Sequence, residues 1–270
     1  LPRAEAVESN LSVLTCAARG SAFFSLQRDV DGAIRRFPLI VKYQDMVEIP
    51  GEQDFLFGPL AIRTLERYLR GNILFWIDAL GVEKVAIQGR RNIVIPTNSR
   101  GEMFINYIGS ISAFPTYSIV DIVEGRQELA PPSAFRDKMV LIGPTALALA
   151  DLRVTPYDKA IPGVAIHATI IDNMLRNDFL SEPWWSDLFT VGGILLLGLL
   201  GTLLLPRLGA VWGGVGAVVA LVAVAGMNQF LFVQHGWSLS AGYPLITGAV
   251  LYGGMTMYHY VVEEQQKRFI

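Results

Sequence analysis

Two unlike patterns of hydrophobic and polar positions divide this chain. Between Leu188 and Val262 apolar residues run almost without interruption, and Arg207 is the one formally charged residue. Hydrocarbon solvates neither ions nor unpaired backbone groups, so uncharged runs of this length predict membrane-spanning helices. Three spans fit: about Leu188–Leu205, ending at Pro206-Arg207; about Val211–Val233; and about Leu239–Val262, after the polar loop Gln234–Ser238. Each is close to the roughly 20 residues that a bilayer core requires.

Upstream, short apolar runs alternate with turns. Ala22–Leu26 and Ala33–Val41 flank the turn sequence Asp29-Val30-Asp31-Gly32 and predict a hairpin. Pro59 to Arg70 predicts a helix, with Leu60, Ala61, Leu65, Tyr68 and Leu69 on one stripe and Arg63, Glu66, Arg67 and Arg70 on the other side. Val85–Ile87, Ile93–Ile95 and Met103–Asn106 predict short strands, and Tyr117–Glu124 a helix stopped by Gly125. The continuous apolar run Met139–Gly143 predicts a strand buried on both faces. Pro162-Gly163 starts a helix to about Arg176, with Val164, Ala168, Ile171 and Leu175 on one face. Signals in this order predict an α/β domain with a mixed sheet over residues 1–183, followed by an all-α membrane domain of three transmembrane helices over 184–262. Residues 263–270 then begin a linker.

Charge fixes an orientation. Lys and Arg in short flanks stay on the cytoplasmic side. Arg207 lies between the first two spans, and Lys267 and Arg268 follow the third, so three spans put both points inside. The loop at His235 and the α/β domain then lie outside the cytoplasm, with Trp184, Trp185 and Trp237 at the outer interface. The spans are rich in glycine, including Gly192, Gly193, Gly198, Gly201, Gly213, Gly214 and Gly216. Small residues let membrane helices approach closely, and Gly209/Gly213 has the GxxxG spacing. Such glycines are also simply common in membrane helices. No Asp, Glu or Lys lies inside a span, which argues against a pump or transporter.

The first 187 residues hold 19 of the 22 basic and 22 of the 24 acidic residues, a net charge of −3, so nothing marks the domain for nucleic acid. One cysteine, Cys16, permits no intrachain disulfide and no Cys-based metal site. The opening Leu1-Pro2-Arg3-Ala4-Glu5 is neither a signal peptide nor an anchor, so export requires an upstream segment, and the chain is expected to be a fragment. No Ser/His/Asp set, metal-ligand spacing or phosphate loop stands out, so no catalytic residue, metal or cofactor is expected. The candidate ligand-binding residues are Asp151, Arg153 and Thr155, in the loop after the expected buried strand, because open α/β sheets bind ligands beyond the carboxyl ends of their strands. A local Asp151–Arg153 ion pair that holds the loop is the plainer reading. His167, near the apolar stripe of its helix, is the fourth candidate; a lone histidine there is more often packed and hydrogen-bonded than a ligand.

The run from Asp29 to Leu39, DVDGAIRRFPL, resembles the Asp-x-Asp-Gly-x-x-Arg-Arg-x-Pro-Leu element of the type-two CHASE domain. The likeness continues in Ile95-Pro96-Thr97-Asn98, in Ile105–Gly109, in Ser118-Ile119-Val120-Asp121, in Lys138–Ala146 (KMVLIGPTA), in Asp151–Pro156 and in Pro162–Asn173 (PGVAIHATIIDN). These motifs keep the family's order, and three spans directly after the domain fit it too. The resemblance implies an extracytoplasmic sensor in a bacterial inner-membrane receptor, multi-pass, working as a homodimer and answering an unidentified small-molecule or protein signal. The family's outputs include class III nucleotide cyclases, histidine kinases and Ser/Thr kinases. The tail Glu263–Ile270 is similar to the linker that enters class III cyclase domains, which points to an adenylate cyclase. The alternatives are a kinase sensor and a membrane-anchored assembly module that binds a partner protein. The family domain usually has an N-terminal span and a further segment before the Asp-Gly turn, and this chain shows neither.

Overall fold

The short apolar runs of the first 180 residues become short strands around two amphipathic helices. The computed structural model describes residues 2–4, 11–43, 55–79, 81–109, 111–145, 151–183 and 185–268. Leu1, Glu5, Ala146, Trp184, Phe269 and Ile270 lie outside the described residues. The chain forms two compact units, Leu1–Leu180 and Ser181–Ile270.

The first unit runs β1 (Arg3–Ala4), α1 (Ser12–Ala17), β2 (Arg36–Pro38), β3 (Val41–Tyr43), β4 (Phe55–Phe57), α2 (Leu60–Leu69), β5 (Asn72–Asp78), β6 (Gly81–Gln88), β7 (Ile93–Ile95), β8 (Glu102–Phe104), α3 (Ile119–Val123), β9 (Leu152–Arg153), β10 (Ile161–Pro162) and α4 (Gly163–Arg176). Its sheets are small. β1 is parallel to β3, which is antiparallel to β4, so this sheet is mixed. β5–β6–β7 is an antiparallel meander, and β2–β8 and β9–β10 are antiparallel pairs. The core joins Phe37 of β2, Ile62 and Leu65 of α2, Ile87 and Ile95 of the meander, and Ile166, Ile170 and Met174 of α4. Each such side chain contributes about 1.5–3 kcal/mol when removed from water.

The helices match their sequence signals closely. α2 follows Pro59 and ends at Arg70, whose left-handed φ of 50° closes the last turn. Its buried residues are Ala61, Ile62, Leu65 and Leu69, so Ile62 replaces the expected Tyr68, which stays exposed. α3 is capped by the Ser118 side chain, which accepts the Val120 N–H, and turns off at Gly125.

Two strand expectations are corrected. The Asp29–Gly32 turn forms, but its arms do not pair with each other. Phe23 bridges Pro59, while β2 takes β8, placing Arg36 opposite Phe104 with its guanidinium 4.7 Å from the ring centroid. The run Met139–Gly143 forms no strand and joins no ladder among the described residues. Met139 and Leu141 pack on the core, whereas Val140 and Ile142 are 51% and 81% exposed. One face is therefore buried and one is not, because no neighbouring strand or helix covers the outer side among the described residues. The premise of a strand buried on both faces, on which the ligand loop was placed, does not hold in this structure.

The second unit is helical: α5 (Ser186–His235) and α6 (Gly242–Arg268). Two segments are long and apolar enough to cross a membrane, Ser186–Leu203 and Trp212–His235, and both lie in α5. The third expected span falls in α6, where Tyr243, Tyr252, Tyr258, Tyr260 and several glycines dilute the apolar character. α5 is helical throughout, yet it is not straight. A Cβ on Gly248 would sit 2.9 Å from Leu221 Cδ2 and 3.9 Å from Leu197 Cδ1. A straight helix would hold those leucines about 36 Å apart. The chain therefore turns back between Leu197 and Leu221. Consistently, Ser181 exchanges hydrogen bonds with the Gly236–Ser238 loop, through Ser181 N–H to Gly236 O and Ser238 N–H to Ser181 O, both 3.0 Å. Trp237 packs edge-on to Trp185 at 5.2 Å and stacks on His235 at 4.6 Å.

Candidate functional site

The Asp-x-Asp-Gly turn and the Asp151–Thr155 loop, far apart in sequence, are stitched together by one residue. Ile34 donates its N–H to Val154 O at 2.9 Å, and its carbonyl accepts the Tyr107 hydroxyl at 2.8 Å. Burial pushes the Tyr107 phenol above its ordinary range. The turn itself closes through Asp29 N–H to Ala33 O and Gly32 N–H to Asp29 O, both 2.8 Å. Gly32 holds φ at +83°, which L side chains rarely adopt.

Arg35 clamps this turn. Its Nη1 donates to Asp29 Oδ2 at 3.1 Å and to Asp31 Oδ1 at 2.9 Å, and Nη2 donates to Asp31 Oδ2 at 2.7 Å. The fork geometry suits a guanidinium and not an ammonium. The hydrogen bonds from Arg35 hold the Asp31 carboxyl down at about 2, and in return Asp31 raises the guanidinium.

Of the four residues singled out in the sequence, Asp151 and Arg153 pair directly. Arg153 Nε and Nη2 lie 3.1 and 2.9 Å from Asp151 Oδ1. Asp151 O also accepts the Gly163 N–H at 2.9 Å, and its carboxylate fills the place of the missing Gly163 side chain: a Cβ there would be 2.5 Å from Oδ2. The negative charge thus rests on the first turn of α4, where backbone N–H groups and the helix dipole favour it. Thr155 is buried and turned away into its own loop. Its N–H and hydroxyl donate to Asp158 O at 2.8 and 3.0 Å, and the hydroxyl accepts the Asp158 N–H at 3.1 Å. His167 is buried with Nε2–H on Phe24 O at 3.0 Å and its ring edge-on to Phe37. Burial pushes its pKa below the ordinary value, against the opposing effects of the Phe24 hydrogen bond and the Asp151 charge.

The sequence reading passed over Asp29, Asp31, Arg35, Tyr107 and Asn173. The first three were visible as an Asp-x-Asp-Gly-x-x-Arg spacing. Asn173 gave no signal, being one amide on a buried helix face. It accepts the Asn106 N–H at 2.9 Å and donates to the Asn106 carbonyl at 2.8 Å, so α4 satisfies the chain after β8 as a strand would. Each guanidinium of the site, Arg35 and Arg153, is engaged by an internal carboxylate. An anionic ligand would have to displace one of these partners, and no three His, Cys, Asp or Glu side chains gather as a metal group among the described residues.

Residues 3–203 match the CHASE2 domain family, a range that takes in the stitched loops, α4 and the first apolar segment of α5. No curated protein and no solved structure matches the chain.

Proposed function

The chain belongs to the CHASE2 domain family, and we propose that it is the sensory and membrane-anchoring part of a bacterial transmembrane receptor that drives a cytoplasmic class III adenylate cyclase. CHASE2 domains are extracytoplasmic sensory domains, so the first unit is the part that meets the signal. The observation that carries the reading is continuity. The charged α/β unit passes within nine residues from the end of α4 to the start of α5, whose two apolar segments suit a bilayer. In this reading α6 is a third span and its charged end the linker to the output domain. Two chains pair, since class III homodimeric cyclases form their active sites between two catalytic domains. Gly198 and Gly216 have open space where a side chain would be and suit a second chain, whereas Gly193, Gly214 and Gly248 already meet neighbours in their own chain.

Topology tests the reading most directly. In a Cys16→Ser background, because Cys16 is itself exposed, Ser238→Cys should react with an impermeant thiol reagent in intact cells and Gln266→Cys should not. The reverse pattern rejects the receptor orientation.

A second reading, a module that binds a partner protein, is favoured by the uncovered Val140 and Ile142 and by α3, which buries none of its apolar residues. A histidine or Ser/Thr kinase output would leave the sensor reading intact and change the enzyme alone.

A further inference from the structure

Gly163 and His167 stand four residues apart in α4, one above the other on the same helix face. The Asp151 carboxylate occupies the position of the Gly163 side chain, one turn from the imidazole, and the field of that carboxylate reaches the ring. His167 is only 4% exposed. Its Nε2–H is committed to Phe24 O, and its Nδ1 is buried with no hydrogen-bond partner. A carbonyl acceptor fixes the tautomer, so Nδ1 carries a bare lone pair. Adding a proton there creates a buried N–H that needs an acceptor.

Among the described residues, Asp151 is the carboxylate whose charge reaches the ring. From β2 the ring meets Phe37, and from the segment after α1 it meets the Phe24 carbonyl, already used. α4 carries no charged residue from Gly163 to Ile171. Asp151, directly before β9, is held at present by Arg153.

We propose that Asp151 is a shared carboxylate of a proton switch: it pairs with Arg153 when His167 is neutral and turns to His167 Nδ1–H when extracytoplasmic acid protonates the ring. The proton adds to the Nδ1 lone pair, Nε2–H stays on Phe24, and Arg153 is released to solvent. This rests on the sensor reading, since only an extracytoplasmic domain meets environmental acid. Glycine at position 163 is part of the device, because any side chain there would fill the space that the carboxylate uses.

The test uses the whole chain in lipid nanodiscs with 13C-labelled histidine. There are three histidines, His167, His235 and His259, so single substitutions assign every signal. The His167 ring is expected to titrate below the ordinary histidine value, together with a change in the Arg153 side-chain signals. Asp151→Asn should lower its proton affinity at least tenfold. His167→Gln, which keeps a donor for Phe24, should abolish the Arg153 response. A His167 signal that does not titrate above pH 4.5, or titrates alike in wild type and Asp151→Asn, overturns the switch. So does an Arg153 response that survives in His167→Gln. If His167→Gln does not fold, the comparison of wild type with Asp151→Asn decides alone. The titration is independent of membrane orientation. A flat titration with the expected thiol labelling therefore sinks the switch alone, and reversed labelling sinks the receptor orientation alone.

Discussion

α4 and α5 are both rich in aliphatic residues, yet they place them in opposite directions. α4 turns Ile166, Ile170 and Met174 into a core shared with α2, β6 and β7, and its His167, Thr169 and Asn173 are buried as well. α5 leaves Leu195, Leu199, Val218 and Val222 exposed along its length, and its polar hydroxyls fold back onto the helix, as Thr190 does on Ser186 O at 3.0 Å and Thr202 on Gly198 O at 2.9 Å. In water the second arrangement would be unstable, since nothing removes the aliphatic surface from solvent. The difference is one of solvent: the first unit makes its own apolar interior, and the second exposes two apolar segments that suit lipid.

That contrast breaks first at the core. Ile170→Ala should cost about 2–5 kcal/mol in chemical denaturation of the first unit within the bilayer-embedded chain, because a fully buried side chain leaves a cavity. Leu195→Ala, at a 67% exposed position, should leave the same transition unmoved. Equal losses at both positions would mean that α5 is a core helix of a water-soluble body.

Next comes a polar joint inside the first unit. Asn173→Leu leaves the Asn106 N–H and C=O without their partner inside the domain, a loss of about 2 kcal/mol or more. Hydrogen exchange at the Asn106 amide should accelerate with it. An unchanged exchange rate would show that α4 and the chain after β8 are held by packing alone.

The smallest expected effect lies at the surface. Asp31 titrates at about 2 in the folded chain, below its ordinary 3.8, through the hydrogen bonds from Arg35. A depressed carboxyl favours the fold above its unfolded value, so this contribution is complete above pH 3.8 and fades as pH falls through about 2. Arg35→Met should return the Asp31 carboxyl signal in a carbon-13 titration to the ordinary range. With both groups substantially exposed, the change in overall stability should be slight. A titration unaltered by Arg35→Met would assign the depressed value to the turn backbone instead.

The sequence by itself determined what depends on local chemistry. The partition into a charged domain and an apolar one follows from the distribution of ions, which hydrocarbon does not admit. The limits of α2 and α4 follow from 3.6-residue periodicity, prolines at their starts and basic residues in their last turns, and the Asp29–Gly32 turn from its own glycine and carboxylates. What tertiary structure decided is everything that one segment cannot know about another. Arg36–Pro38 pairs with Glu102–Phe104, more than sixty residues away, and not with the run across its own turn. A strand's alternation gives its two faces but not its partner. Met139–Gly143 reads as a doubly buried strand because its residues are apolar, yet burial needs a second surface, and only Met139 and Leu141 find one. Asp151, Arg153 and His167 were legible as chemistry-bearing residues. That Asp151 lies in the space left by Gly163 on α4, beside a guanidinium and with its charge reaching a buried imidazole, was decided by tertiary packing that residue types alone do not encode.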